Sequence, residues 1–460
     1  MPLVVGVDSS TQSCKVEIRD LDDGTLVASG RAPHRPTNPP RSEQDPREWW
    51  DALTRALAQA EAHTADVAAV GVAGQQHGLV VLDRSGQPLR PAKLWNDTES
   101  ALQAQQLVER FGAATLAQRT GSVPVASFTI TKLAWLVDHE MEIVGEIANV
   151  MLPHDYLNFR LTGQIGTDRG DASGTGWYDP FTGRIAHELF DAIGGRGDWA
   201  SLIPQVLGPV ETLGHVTDDA AAATGLPAGI PVSVGTGDNM AAALGLGLAP
   251  GDVAMSLGTS GTVYAVSETP SADASGAVAG FADASGRFLP LVCTLNATKV
   301  TDTFARWLGM SSSEFADAAL SAPPDANGVQ LMPHFDGERT PNLPEATGIL
   351  HGLRNTTSPA DLARAAHEGV VDGLLYGRDC LASAGAATDG RLHLIGGGAH
   401  SPAYRQIVAD RNRAPIRVPN VDETVAAGAA VQAAMMLGRY RDDIATSWQL
   451  GEGIDVHPSS

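Results

Sequence analysis

The sequence predicts an α/β protein of two domains, and three observations carry that expectation. The chain runs to 460 residues, past the roughly 250 to 300 at which a single hydrophobic core stops growing. An apolar strand, a small hydroxylated turn and a returning apolar strand open the chain and recur after Pro250-Gly251, so the same device begins each half. Elsewhere, apolar runs of strand length alternate with helical patterns that begin at capping residues.

Residues 3–7 and 15–18 read as strands around the turn Asp8-Ser-Ser-Thr-Gln-Ser13, and 26–29 follows as a third. At Asp45-Pro46-Arg-Glu48 a capping acid, a proline at the first helical position and a glutamate three residues after the cap start a helix. Trp49, Trp50, Leu53, Leu57 and Ala60 give it an apolar face, and the paired tryptophans read as core. Residues 67–73 form a strand, Gly74 to Gly78 a turn and 79–82 another strand. Between 100 and 230, helical patterns alternate with Gly- and Pro-rich loops in an order that pattern alone does not fix. Val232-Ser-Val then leads through Gly235-Thr-Gly237 to Asp238 and an Ala-rich helix. In the second half, 253–257 and 262–266 are strands around the tight turn Gly258-Thr-Ser-Gly261. Ser358-Pro-Ala-Asp361 opens a helix as a capping box. The strand 392–395, the glycine loop Gly396 to Ser401 and the helix 404–411 come next. An apolar, small-residue helix over 423–437 closes the pattern, and 441–460 reads as a polar, frayed tail. The expected domains are 1–247 and 248–440.

Composition bounds the function. A hydrophobic fraction of 43% with 18% charged residues marks a folded, soluble chain, and the net charge of -22 opposes nonspecific binding to nucleic acid or anionic membrane. Cys14, Cys293 and Cys380 are an odd number at wide spacings without a CxxC, which fits a reducing compartment. The first residues reach an acid at position 8 with no basic segment before it, so they read as a strand rather than a signal peptide. No stretch has the length of a membrane span. The cytoplasm is the expected location.

The segment 232–243 is the most informative, because an apolar strand turns through glycines into an acid that opens a helix. A helix start favours negative charge, so Asp238 is expected to be ionised there. By itself the pattern fits a simple N-cap as well as a catalytic acid. Taken together, the two hydroxyl-rich turns, the glycine loop before a helix and the two turn-associated acids, Asp8 and Asp238, suggest an ATP site between two domains. Rival motifs are missing from the sequence. None of the four lysines follows a glycine, which excludes a Walker A loop, and HExxH, GxSxG and EF-hand patterns do not occur.

Eight stretches in order then make a family resemblance specific. They are Ser42-Glu-Gln-Asp-Pro46 with Trp49-Trp50, Gly74-Gln-Gln-His-Gly78, Leu94-Trp-Asn-Asp97, Leu152-Pro-His-Asp-Tyr156, Gly237-Asp-Asn239, Ser256-Leu-Gly-Thr-Ser-Gly261, Gly337-Glu-Arg-Thr-Pro341 and Leu394-Ile-Gly-Gly-Gly-Ala399. To about Arg439 the chain resembles the FGGY family of carbohydrate kinases. The resemblance implies two actin-like ATPase (ribonuclease H-like) domains flanking a central cleft, with sugar bound by the first and ATP by the second. It implies ATP and Mg2+ as cofactors and phosphorylation of D-xylulose to D-xylulose 5-phosphate. Kinases for ribulose or glycerol remain alternatives, as does a noncatalytic actin-like ATP-binding module, and a homodimer is left open.

Carried over by position, Asp238 is implied to be the general base and Asp8 the acid that holds Mg2+ through water, with Asp238 also near the metal. Gln76, His77, Asn239 and Trp95 are implied sugar contacts. Ser10, Thr11, Gln12 and Ser13 would form one phosphate hairpin and Gly258, Thr259 and Ser260 the other, with Thr11 and Thr259 as the hydroxyl contacts. Gly396, Gly397, Gly398 and Ser401 would approach the adenosine. The chain departs from its relatives at Ser10, commonly glycine, and at Gln76, commonly methionine.

Overall fold

In the computed structural model, which describes residues 2–459, the chain divides into two compact units. One comprises Met1–Gly247, Pro270–Leu289 and Glu423–Leu450, and the other Leu248–Thr269, Pro290–Asp422 and Gly451–Ser460.

The first unit is built on a seven-stranded sheet of β1 (Leu3–Ser9), β2 (Ser13–Asp20), β3 (Leu26–Pro33), β4 (Val67–Gly74), β5 (Thr212–His215), β6 (Pro231–Ser233) and β7 (Thr236–Gly237). The order is β5-β6-β4-β1-β2-β3, with β7 also paired to β4. β1 runs antiparallel to β2 (Val5 opposite Ile18) and parallel to β4 (Val5 opposite Val70). Helix α1 (Pro46–Ala58) starts where the capping residues place it, with the Asp45 carboxylate accepting from the Arg47 N–H. Trp49 is fully buried, and its indole N–H donates to Gln44 Oε1 at 2.8 Å, so the tryptophans are core as read. Helices α2 (Pro153–Thr162), α3 (Arg169–Ala172) and α4 (Asp238–Gly245) position the residues discussed below. A second apolar cluster, which includes Leu133, Leu136, Trp177 and Trp199, holds the region that the sequence left unordered.

The helix Thr424–Met436 covers this sheet through glycines that admit its backbone. A Cβ at Gly6 would stand 1.9 Å from the Ala426 carbonyl oxygen, and one at Gly71 would stand 2.0 Å from that of Ala429. From the helix side, a Cβ at Gly428 would lie 1.7 Å from the Ala241 oxygen of α4. Backbone cannot yield there as a flexible side chain can. Gly428→Ala is therefore expected to destabilise the protein by about 3 kcal/mol or more. A thermal unfolding midpoint equal to that of the parent would contradict this packing.

The second unit repeats the plan. Its strands β8 (Val253–Leu257), β9 (Gly261–Ala265), β10 (Phe288–Thr294), β11 (Leu392–Ile395), β12 (Ile416–Pro419) and β13 (Gly453–Val456) lie in the order β10-β9-β8-β11-β12-β13. β8 is antiparallel to β9 and parallel to β11, as β1 is to β2 and β4. The recurring hairpin is thus the start of a repeated sheet topology. Helices α5 (Thr298–Leu308), α6 (Ser312–Ser321), α7 (Pro359–Ser383) and α8 (Pro402–Asn412) complete the unit. α7 begins at the expected capping box: Ser358 Oγ accepts from the Asp361 N–H, and the Asp361 carboxylate accepts from Ser358.

One expectation is corrected. The residues read as a frayed tail carry a helix, Arg441–Ser447, and the edge strand β13. Their composition is polar, but Ile444 and Trp448 are buried and β13 is fixed by backbone pairing to β12, which composition does not reveal. Pro270–Leu289 and Glu423–Leu450 group with the first unit. A small-residue helix can cover either sheet; the glycines at positions 6 and 71 decide which. Among the described residues no helix is long and apolar enough to cross a membrane.

Candidate active site

In the first unit, β1, the turn after β4 and the start of α4 bring acids and amides together. Asp8, near the end of β1, is only 2% exposed. Its Oδ2 accepts from Ser10 Oγ at 3.2 Å and pairs with Lys15 Nζ at 3.4 Å, and Lys15 also reaches Glu423. Oδ1 is buried without a hydrogen-bond partner. Burial raises the Asp8 carboxyl, and Lys15 and the Ser10 hydroxyl partly offset it.

Asp238 is the first residue of α4, and Gly237 is the N-cap, so the capping reading does not hold. Its Oδ1 accepts from the Asn239 N–H at 2.8 Å and from Asn239 Nδ2 at 2.9 Å. Desolvation, then the charges of Asp8 and Asp171, push its carboxyl up to about 7, outweighing the Asn239 bonds. The expectation of a carboxyl held ionised by a helix start is therefore corrected, because burial, joined by the charges of Asp8 and of Asp171, which the sequence does not place beside it, acts against the charge. Asn239 Nδ2 also donates to Gln76 Oε1 at 2.6 Å. This bond leaves Gln76 Nε2 buried without a hydrogen-bond partner. A Cβ at Gly237 would meet Gln76 Cγ at 2.6 Å, so a glycine is needed for this approach.

His77 is held more firmly than a turn residue needs. Its backbone has a φ of 61°, the left-handed region that non-glycine residues rarely take. The Asp171 carboxylate accepts from its N–H at 3.0 Å and contacts Nδ1 at 3.1 Å, while Thr129 Oγ1 and Lys132 Nζ donate to its carbonyl. The ring stacks on Phe128 with centroids 5.5 Å apart. Asp171, Thr129 and Lys132 were missed by sequence reasoning, because their partners are 94, 52 and 55 residues away.

The first hairpin is less open than expected. The Thr11 hydroxyl donates to Gln75 Oε1 at 3.1 Å and accepts from the Trp95 indole at 2.9 Å. Trp95 is thus placed as a brace for the turn. The Gln12 carbonyl accepts from the His34 N–H, and Ser13 is buried as the first residue of β2, opposite Pro33. The group Glu43, Asp97 and Glu99 has the spacing of a cation site. Lys93 Nζ already fills its centre, 3.2 Å from Glu43 and 3.3 Å from Asp97 and bound to Glu99, so the cluster is an ion-pair network.

In the second unit, a cavity of about 410 Å³ is lined by Gly258 and Thr259 of the β8–β9 turn, by Gly397, Gly398 and Ser401, and by residues of α5, α6, α7 and α8. The start of α5 is tied to the turn, with the Thr298 N–H donating to the Gly258 carbonyl at 3.0 Å. Thr259 is exposed, and the Ser260 carbonyl accepts from the Gly258 N–H. Gly396 has a φ of 83°, and a Cβ at Gly398 would meet Leu257 at 2.7 Å, so only glycines let this loop lie against β8. Ser401 caps α8. The aromatic side of the cavity, Phe315, His367 and Tyr404, was not read from the sequence; successive rings lie 5.4 and 4.6 Å apart across three helices.

Comparison with known proteins adds an independent finding. Residues 3–245 match the N-terminal domain of the FGGY family of carbohydrate kinases and 253–437 match its C-terminal domain. The chain is 50% identical to the xylulose kinase of Streptomyces rubiginosus and 49% identical to that of Streptomyces coelicolor, in both cases over 98% of this chain and 92% of the relative. The crystal structure of xylulose kinase from Bifidobacterium adolescentis superposes with a TM-score of 0.85 at 40% identity, covering 96% of this chain and 94% of that one.

Proposed function

Because the chain belongs to the FGGY family of carbohydrate kinases, we propose that it transfers the γ-phosphoryl group of ATP to the 5-hydroxyl of D-xylulose, with Asp238 as general base. The observation that carries the reading is the group Asp238, Asn239 and Gln76. Both bonds from Asn239 fall on Asp238 Oδ1, so Oδ2 is the oxygen offered to a substrate hydroxyl. A carboxyl near pH 7 suits this task, since a base works best with a pKa near the operating pH. The sugar oxygen gives its proton to Asp238 and bonds to the γ-phosphorus as the bond to the ADP oxygen breaks. The transition state is loose, so alignment and charge neutralisation do most of the work.

Sugar binding is assigned to the first unit, and the amide orientations support it. Asn239 Nδ2 donates to Asp238, which fixes the Asn239 amide; that in turn turns Gln76 Oε1 toward Asn239 and leaves Gln76 Nε2 as a buried donor for a substrate oxygen. The nucleotide is assigned to the second unit's cavity, with the adenine against Phe315 and Tyr404 and the phosphates at the Gly258–Thr259 turn. With the Thr11 hydroxyl already engaged on both sides, the backbone N–H groups of Ser10 to Gln12 are the better phosphate donors in the first hairpin. Mg2+ fits Asp8, whose buried Oδ1 lacks a partner and is a hard oxygen ligand. The ion would neutralise phosphate charge.

A coupled ADP-release assay over D-xylulose, D-ribulose and glycerol tests the substrate. D-Xylulose is expected to give the highest kcat/KM. D-Ribulose, with one inverted hydroxyl, should lose about 1 to 3 kcal/mol in transition-state binding, and glycerol more. Equal or better kcat/KM for either rival overturns the sugar assignment and leaves the kinase chemistry standing.

A further inference from the structure

His154, on α2, is a fully buried titratable group that the proposed chemistry does not touch. Three carboxylates surround it. Nδ1 lies 3.4 Å from Asp155 Oδ1, and Nε2 lies 3.2 Å from Asp168 Oδ1 and 3.7 Å from Asp171 Oδ2. Asp171 is the residue that holds His77 by its N–H and its ring. Asp168 caps α3 and accepts from Thr236 Oγ1 at 2.8 Å, two residues before Asp238. The other side of the imidazole meets the same segment, because a Cβ at Gly235 would stand 2.8 Å from His154 Nδ1 and one at Gly74 would stand 3.1 Å from its backbone. Asn158, one turn along α2, donates to the Ser233 and Val234 carbonyls.

We propose that His154 is held as an imidazolium and acts as a positioning residue, its charge fixing Asp171 behind His77 and Asp168 behind the turn that presents Asp238. This rests on His77 and Asp238 being the sugar-side groups. Charge balance favours it, since the carboxylates of Asp155, Asp168 and Asp171 crowd one ring and would repel one another around a neutral imidazole, with Lys132 offsetting part of the charge at Asp171. Burial pulls the imidazole down, but Asp155, Asp168 and Asp171 outweigh it and push His154 up to about 9. Burial also raises Asp155 and Asp171, each to about 7, against the pull of His154.

Two variants and one spectrum test the proposal in the full chain. His154→Gln removes the charge, whereas His154→Lys keeps it. His154→Gln is expected to lower kcat/KM for the sugar by about 10- to 100-fold, as small misplacements near a reacting group do, chiefly through KM, with the KM for ATP unchanged. His154→Lys should recover most of that loss. In the parent protein, nitrogen NMR of His154 should show both ring nitrogens protonated at pH 7.5. Equal losses in the two folded variants, or a neutral His154 ring at pH 7.5, overturn the proposal. If neither variant folds, the spectrum alone decides. Failure of the parent to phosphorylate D-xylulose would strike the function reading, whereas the protonation state of His154 is read from the spectrum whatever the substrate.

Discussion

Replacing Asp238 by alanine is expected to lower kcat for sugar phosphorylation by at least about 10²-fold, while leaving the fold and the binding of ATP in place. The burial of Asp238 beside two other acids predicts a second consequence. The folded-state carboxyl is raised to about 7, above its ordinary value of 3.8. A group raised on folding favours the native state while protonated, and that advantage is lost as pH rises through about 7. At pH 8 the charged Asp238 therefore opposes folding, through burial and through Asp8 and Asp171. Asp238→Ala should then raise the unfolding midpoint at pH 8 as activity disappears, a trade familiar at functional sites. The base must be unprotonated to act, so kcat/KM in the parent should fall about tenfold per pH unit below about 7 and level off above it. A variant that kept more than about a tenth of the parent turnover would end the base assignment.

The sequence made the backbone plan legible because the plan is written in local signals. Strand runs, the N-cap at Asp45, the capping box at Ser358 and the repeated hairpin each depend on residues a few positions apart. The two sheets built on those hairpins confirm the repeat. What could not be read are contacts that join distant segments. Asp168, Asp171 and His154 stand behind the site because α2 and α3 pack on the turn before Asp238, and nothing in the spacing of residues 154, 168 and 236 announces it. The Ala-rich helix 424–436 was recognised as a helix, but its place on the first sheet follows from carbonyl oxygens that tolerate only glycine opposite them. Asp238 shows both sides of the boundary: the strand, turn and helix around it were legible, whereas its protonation depends on burial and on the charges of Asp8 and Asp171, 230 and 67 residues away.

The Leu152-Pro-His-Asp-Tyr156 stretch marks the same limit from another direction. As a motif it pointed to the family without giving any residue a role. In the fold its proline begins α2, the Asp155 carboxylate accepts from the Leu152 N–H, and His154 is turned inward against Gly74 and Gly235. A segment can thus be recognisable for reasons of packing while its chemistry becomes readable only once its neighbours are known.

His77 should be the most sensitive sugar-side residue, and a glycine that never touches the sugar should be nearly as sensitive. His77→Ala removes a ring set between Phe128 and Phe281, whose centroids lie 5.5 and 5.1 Å away. A site built to pair with hydroxyls loses up to about 10⁴ in kcat/KM when a polar partner is removed. Gly174 lies directly behind that ring, where an added Cβ would stand 1.8 Å from Cε1 and 2.0 Å from Nδ1. The ring cannot swing aside without breaking its contact with Asp171, and the backbone of His77 is itself held by Asp171, Thr129 and Lys132. Gly174→Ala is therefore expected to displace the imidazole and to cost at least about 10²-fold in kcat/KM for the sugar. ATP binding, measured by calorimetry without sugar, should be unchanged in both variants, because neither His77 nor Gly174 lines the proposed nucleotide cavity or belongs to the first hairpin. Parent-like kinetics in a folded Gly174→Ala would show that the ring position is not what the sugar requires, and weaker ATP binding in either variant would show that the division of labour between the units is drawn wrongly.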